Sequence, residues 1–85
     1  MSTPDEKGPE DLPVLDTCGL LCPLPVLKTR KRLKDLPVGT RLKVLADDPA
    51  ALIDIPHFCA EQGHSLDGEP IEGDSVLTFV VVRGR

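Results

Sequence analysis

Leu15-Asp16-Thr17-Cys18-Gly19-Leu20-Leu21-Cys22-Pro23-Leu24-Pro25-Val26 is the stretch from which the fold can be read. Val14 and Leu15 make a short apolar run that stops at Asp16, and Gly19 permits a turn. Two prolines follow, then a run of good helix formers from Val26 to Leu36. Proline is accepted in a first helical turn because its missing N–H would go unpaired there anyway. The reading is therefore strand, turn, helix, with the helix starting at Pro23 or Pro25 and Cys22 immediately before it. Val26, Leu33 and Leu36, flanked by Leu27, fall on one side at helical spacing. Lys28, Arg30, Lys31, Arg32 and Lys34 cover most of the rest, and Pro37 and Gly39 end the helix.

Beyond it, Arg41 to Ala46 predicts a second strand. Asp47-Asp48-Pro49 reads as an acidic cap with proline at the first position of a second helix, which stops at Gly63. Pro56 removes one hydrogen bond inside that helix, so a kink or break is expected there. Ser65 to Ile71 is a weak strand, interrupted by Gly68 and Pro70, that suits a sheet edge. Ser75 to Arg83 is a near-continuous β-branched run, the pattern of a central strand. Val80-Val81-Val82 offers apolar groups to both sheet faces, so some cover on the open face is expected.

The order βαβαββ predicts an α/β two-layer sandwich, a mixed four-stranded sheet with two helices on one face. The chain has 85 residues, enough for one domain. Residues 1–11 are polar and proline-containing and read as a flexible tail, which leaves residues 12–85 as the single domain. A chain of this size buries only roughly 60% of its unfolded surface, so its core is thin and its chemistry belongs at the surface.

The net charge of −4 and the near absence of aromatics, two Phe without Tyr or Trp, argue against nucleic-acid binding. No stretch approaches the roughly 20 apolar residues of a membrane span. The first residues contain no apolar signal core, so a cytoplasmic location is expected, with the three cysteines as reduced thiols.

Cys22 is the candidate reactive group. The thiolate is the nucleophilic form of cysteine, and a helix N-terminus favours it. Pro23 pushes the preceding residue towards extended geometry, and Pro23 and Pro25 stiffen the turn. No histidine is close in sequence; His57 and His64 lie in or after the second helix. The competing reading is a small buried hydrophobe, since free cysteines are among the most buried residues. That reading fits Cys59 beside Phe58. Cys18 reads as an inert thiol at the end of the first strand, with a resolving role as the rival reading. Zinc is disfavoured because the cysteines and histidines do not form paired ligand spacings.

The segment Leu15 to Pro25 resembles the signature of the TusA/SirA-like sulfur carrier family, Cys-Pro-x-Pro with a glycine three residues ahead of the cysteine. Here those residues are Gly19, Cys22, Pro23 and Pro25. Ala46-Asp47-Asp48-Pro49 with Asp54-Ile55-Pro56-His57-Phe58-Cys59 is similar to the family's second segment. The resemblance spans about Leu12 to Arg83. It implies a sulfurtransferase that accepts sulfur as a persulfide on Cys22 from a donor protein, a cysteine desulfurase or a rhodanese-like protein. The sulfur then passes to a downstream thiol protein, in tRNA thiolation, molybdenum cofactor assembly or sulfur oxidation. No cofactor or metal is implied, and a monomer suits a shuttle.

Lys28, Lys31 and Lys34 follow the Cys22 turn, and with Asp48 they are candidate partner-docking residues; a plain solvated helix face is the alternative for the basic run. Asp47 and Asp48 also read as helix caps. Two other functions compete with the carrier. One is a non-catalytic regulatory or protein-interaction module on the same fold. The other is a dithiol redox protein using Cys18 and Cys22, whose spacing is longer than C-x-x-C.

Overall fold

A computed structural model describes residues 12–85. The tail expected over residues 1–11 lies outside the described residues. The elements are β1 (Val14–Asp16), α1 (Leu24–Leu33), β2 (Arg41–Ala46), α2 (Ala51–Gln62), β3 (Ser65–Leu66), β4 (Ile71–Glu72) and β5 (Leu77–Val82).

The sheet runs β1-β2-β5-β3, and β4 also pairs with β5. β1 lies parallel to β2; all pairings to β5 are antiparallel. The sheet is thus mixed, with β5 central, as its β-branched composition leads one to expect. It has five strands rather than the four read from sequence. β3 and β4 pair with opposite ends of β5, at Val81–Val82 and Leu77–Thr78, so they are one edge strand cut in two. Gly68 at φ 85 and Pro70 lie in the cut. Proline cannot donate to a ladder, and an edge tolerates the interruption.

Alternate residues of the two long strands point into the core: Leu42, Val44 and Ala46 from β2, Phe79 and Val81 from β5. They meet Leu33 of α1 and Ala51, Ile55, Phe58 and Cys59 of α2 in one cluster. Both helices therefore cover the same face. The other face keeps Leu45, Thr78, Val80 and Val82 half-buried, with Val14 52% and Ile71 65% exposed at its margins.

α1 ends at Leu33, earlier than the Leu36 read from sequence, because the chain tightens. Asp35 and Leu36 donate to Arg32 and Leu33, three residues back rather than four. α2 continues through Pro56 without a break. Its start is displaced. Ala51 and Leu52 donate to Asp48 and Pro49 in an i→i−3 turn, so the regular helix begins two residues after Pro49. Gly63 at φ 80 closes it in the left-handed conformation, as its position implied.

Candidate functional site

The parallel pairing of β1 and β2 decides where the site forms. It brings the C-terminal ends of both strands to one edge of the molecule, so the loop after Asp16 meets the loop after Ala46. Thr17 fastens the first loop. Its side chain is fully buried, and its N–H and hydroxyl both donate to the Leu45 carbonyl, at 2.8 and 2.6 Å. The Asp16 carboxylate accepts from the Cys18 N–H at 2.9 Å. Both Asp47 oxygens lie 3.0 Å from the Gly19 N–H, and Gly19 sits at φ 87, a conformation that favours glycine. Asp48 accepts from the Cys22 N–H at 2.8 Å through one oxygen and from the Ala50 N–H at 3.0 Å through the other.

Asp47 therefore does not cap α2. Only Asp48 keeps a cap-like bond, and its second oxygen holds the Cys22 backbone. Both Asp48 oxygens are engaged within the chain, where they hold the Cys22 loop.

The Asp48 carboxyl is held below its ordinary pKa of 3.8, first by the Cys22 N–H and then by that of Ala50. A depressed acid contributes order above its unfolded pKa and loses it as pH falls through the folded value. The Cys22 loop is therefore expected to stay fixed above about pH 4 and to loosen below it. Amide exchange read by NMR checks this: the Cys22 N–H should lose its protection in acid before the Val81 N–H of the core.

Cys22 is exposed, Cys18 is half-buried, and Cys59 is buried in the core. Burial pushes the Cys59 thiol up to about 11, which keeps it protonated and inert. The backbone turns tightly through Cys22 and Pro23, with the Leu24 N–H donating to the Leu21 carbonyl, and the Cys22–Pro23 peptide is cis. α1 opens at Leu24, with Pro23 at the cap position and exposed, and Pro25 buried in the first turn.

The thiol borders a shallow cleft of about 210 Å³ between α1 and α2. Pro23, Val26 and Phe58 give it apolar walls, and Asp54, His57 and Glu61 line its α2 side. His57 Nε2 lies 3.4 Å from Glu61 Oε2. The expectation that the helix start favours the thiolate is reversed for the free chain. The Cys22 pKa is raised above its ordinary 9.0, first by a hydrogen bond to Asp54, then by desolvation and by the charges of Asp54 and Asp48. The Cys18 thiol is raised as well, by desolvation and then by Asp16.

Sequence reasoning did not single out Asp54, His57 or Thr17 for the site. Asp54 and His57 lie more than thirty residues from Cys22 in the chain. Of the other site residues named from sequence, Gly19 lies in the loop, and Lys28, Lys31 and Lys34 project, exposed, from α1. Leu21, Leu24 and Leu27 are 69%, 42% and 47% exposed, so exposed apolar side chains adjoin the Cys22 turn and the first turn of α1. Among the described residues, no three His, Cys, Asp or Glu side chains converge as metal ligands.

The site is an exposed thiol on a loop clamped by carboxylates, carried at one edge of a two-layer α/β domain. The family model described as Sulfurtransferase TusA matches residues 14–83, and the chain belongs to this family. The chain is 42% identical over 80 residues to the sulfur carrier protein TusA of Pseudomonas savastanoi pv. phaseolicola, covering 94% of each. Its identity to the protein of the same name from Pseudomonas fluorescens is 40% over 75 residues, covering 85% of this chain and 90% of that one. Among solved structures, a SirA-like protein from Desulfitobacterium hafniense superposes with a TM-score of 0.74 at 25% identity, over 87% of this chain and all of that one. No helix among the described residues is long and apolar enough to cross a membrane.

Proposed function

We propose that Cys22 carries sulfur as a persulfide between two proteins. The observation that supports this most is the contrast among the three thiols. Only Cys22 is exposed, and its backbone is clamped by Asp48 from 26 residues away. The Cys22 thiolate attacks the outer sulfur of a donor persulfide. The donor S–S bond breaks, its electron pair stays on the donor sulfur, and Cys22 gains a terminal S–H. Delivery is the same exchange in reverse: an acceptor thiolate takes the outer sulfur, and Cys22 leaves as a thiolate. Neither step needs a net oxidant or a cofactor.

The donor is a cysteine desulfurase or a rhodanese-like protein, and the acceptor is a further thiol protein. Both meet the same surface: Leu21, Leu24 and Leu27 offer apolar contact beside the thiol, and Lys28, Lys31 and Lys34 steer an acidic partner onto it. The carrier works as a monomeric single domain over residues 12–85. It acts in the cytoplasm, where thiols stay reduced.

Intact-mass measurement after incubation with a cysteine desulfurase and cysteine tests the proposal. One added sulfur atom, removed by reductant, is the expected result; an unchanged mass beside a donor that loads another carrier contradicts it.

A further inference from the structure

At the far end of α1 from Cys22, four cations gather around one concavity. Arg30 comes from the last turn of α1 and Lys34 from the position just after it, and Arg83 and Arg85 from the segment after β5; Gln62 and His64 complete the polar lining. The concavity holds about 160 Å³, well beyond the ~10–15 Å³ that one water needs. No Asp or Glu side chain lines it, although the chain carries fourteen of them against ten Lys and Arg.

The arginines are placed by main-chain oxygens, one of them on Arg85, the last residue of the sequence, and by no Asp or Glu side chain. Arg83 donates through Nη1 to the Leu36 carbonyl and through Nε to Arg85 O at 3.0 Å. Arg85 Nε donates to the Gln62 carbonyl at 3.2 Å. Capping of the two helix ends explains these bonds, since cations suit helix C-termini. It leaves the remaining guanidinium N–H groups without an acceptor among the described residues; Arg30, in the last turn of α1, and Lys34, its C-cap, suit the same helix end but their side chains make no hydrogen bond there. The His64 pKa is held below its ordinary value, first by desolvation and then by the charges of Arg83 and Arg85.

The segment carrying the arginines is fitted closely to the α2 turn. The Gly84 N–H donates to His64 Nδ1 at 2.9 Å, and a Cβ added at Gly84 would run into the Gly63 carbonyl oxygen. A Cβ at Gly63 would come within 2.8 Å of Arg85 Nε. Two glycines thus allow the close approach that brings Arg83 and Arg85 to Arg30 and Lys34.

We propose that this concavity is an anion site for a tetrahedral oxyanion of the phosphate, sulfate or thiosulfate class. Guanidinium forks match the oxygen edges of such ions, and three chain segments supply donors from different sides. The site is separate from the Cys22 cleft, and none of its lining residues lines that cleft.

The test is an NMR titration of the full chain with inorganic phosphate and with thiosulfate, at ionic strength matched with chloride. The chain has two histidines, and His57 serves as the internal control. Binding should move the backbone amide signals of Gly84 and His64 saturably, while the His57 amide signal stays put. Saturation at about 1 mM or tighter is expected. The double variant Arg30→Gln/Lys34→Gln, whose side chains make no hydrogen bond or ion pair among the described residues, should bind at least about tenfold more weakly. Gly84→Ala keeps every charge and should also lose saturable binding, because it prises the arginines away. Shifts that chloride reproduces, or binding unchanged in both variants, would overturn the proposal and leave the cations as helix caps only. A difference between phosphate and thiosulfate identifies which oxyanion the site prefers.

Discussion

Asp54→Asn is expected to make Cys22 more reactive, not less. In the free chain the Asp54 carboxylate accepts the thiol's hydrogen bond and opposes a second negative charge beside it. An amide removes that charge and can donate to the thiolate. The Cys22 pKa should fall, and each unit is a factor of ten in thiolate at neutral pH. Alkylation by iodoacetamide at pH 7.5 should accelerate about three- to tenfold, with the midpoint of its pH profile moved down. Asp54→Glu, which keeps the charge, should restore slow alkylation. An unchanged midpoint in Asp54→Asn would mean that Asp54 does not control the thiol. The result matters for the carrier role: a thiol kept protonated until a donor docks is protected from stray electrophiles and oxidants.

Phe79→Ala carries the largest expected effect on stability. Phe79 is 1% exposed on the central strand, directly opposite Val44. Removing a buried Phe side chain costs about 3–5 kcal/mol through lost burial and the cavity left behind. Domains of this length hold roughly 0.05–0.15 kcal/mol per residue in total, so one substitution consumes much of the margin. Thermal unfolding followed by circular dichroism should show a drop of about 12 °C or more. A drop of a few degrees would show that β5 is not the centre of the core.

Much of the fold is legible in local signals. The β-branched run of β5, the 41–46 strand and the proline-marked start of α1 each announce themselves within a few residues. The split of the edge strand is half-legible: Gly68 and Pro70 mark the interruption, but only pairing with β5 shows two strands instead of one. Cys22 is legible for the same reason as α1, because Pro23 and Pro25 mark its position. The electrostatics around it are not. Asp47 and Asp48 have the composition of a helix cap, and a cap is the local explanation. They become loop clamps only because parallel pairing of β1 and β2 carries Gly19 and Cys22 across to them. Asp54 is one more acidic residue on a helix until α2 packs on α1 and closes the cleft. A residue's partner 26 or more positions away is a property of the topology, and spacing rules do not reach it.

The central claim is that sulfur travels on Cys22, and the most direct test compares two cysteine variants loaded by the same desulfurase. The first, Cys18→Ser/Cys59→Ser, leaves Cys22 alone; the second, Cys22→Ser, leaves the other two. Intact mass should show one added sulfur on the first at the wild-type level and none on the second. Loading of Cys22→Ser equal to that of the wild type would contradict the account.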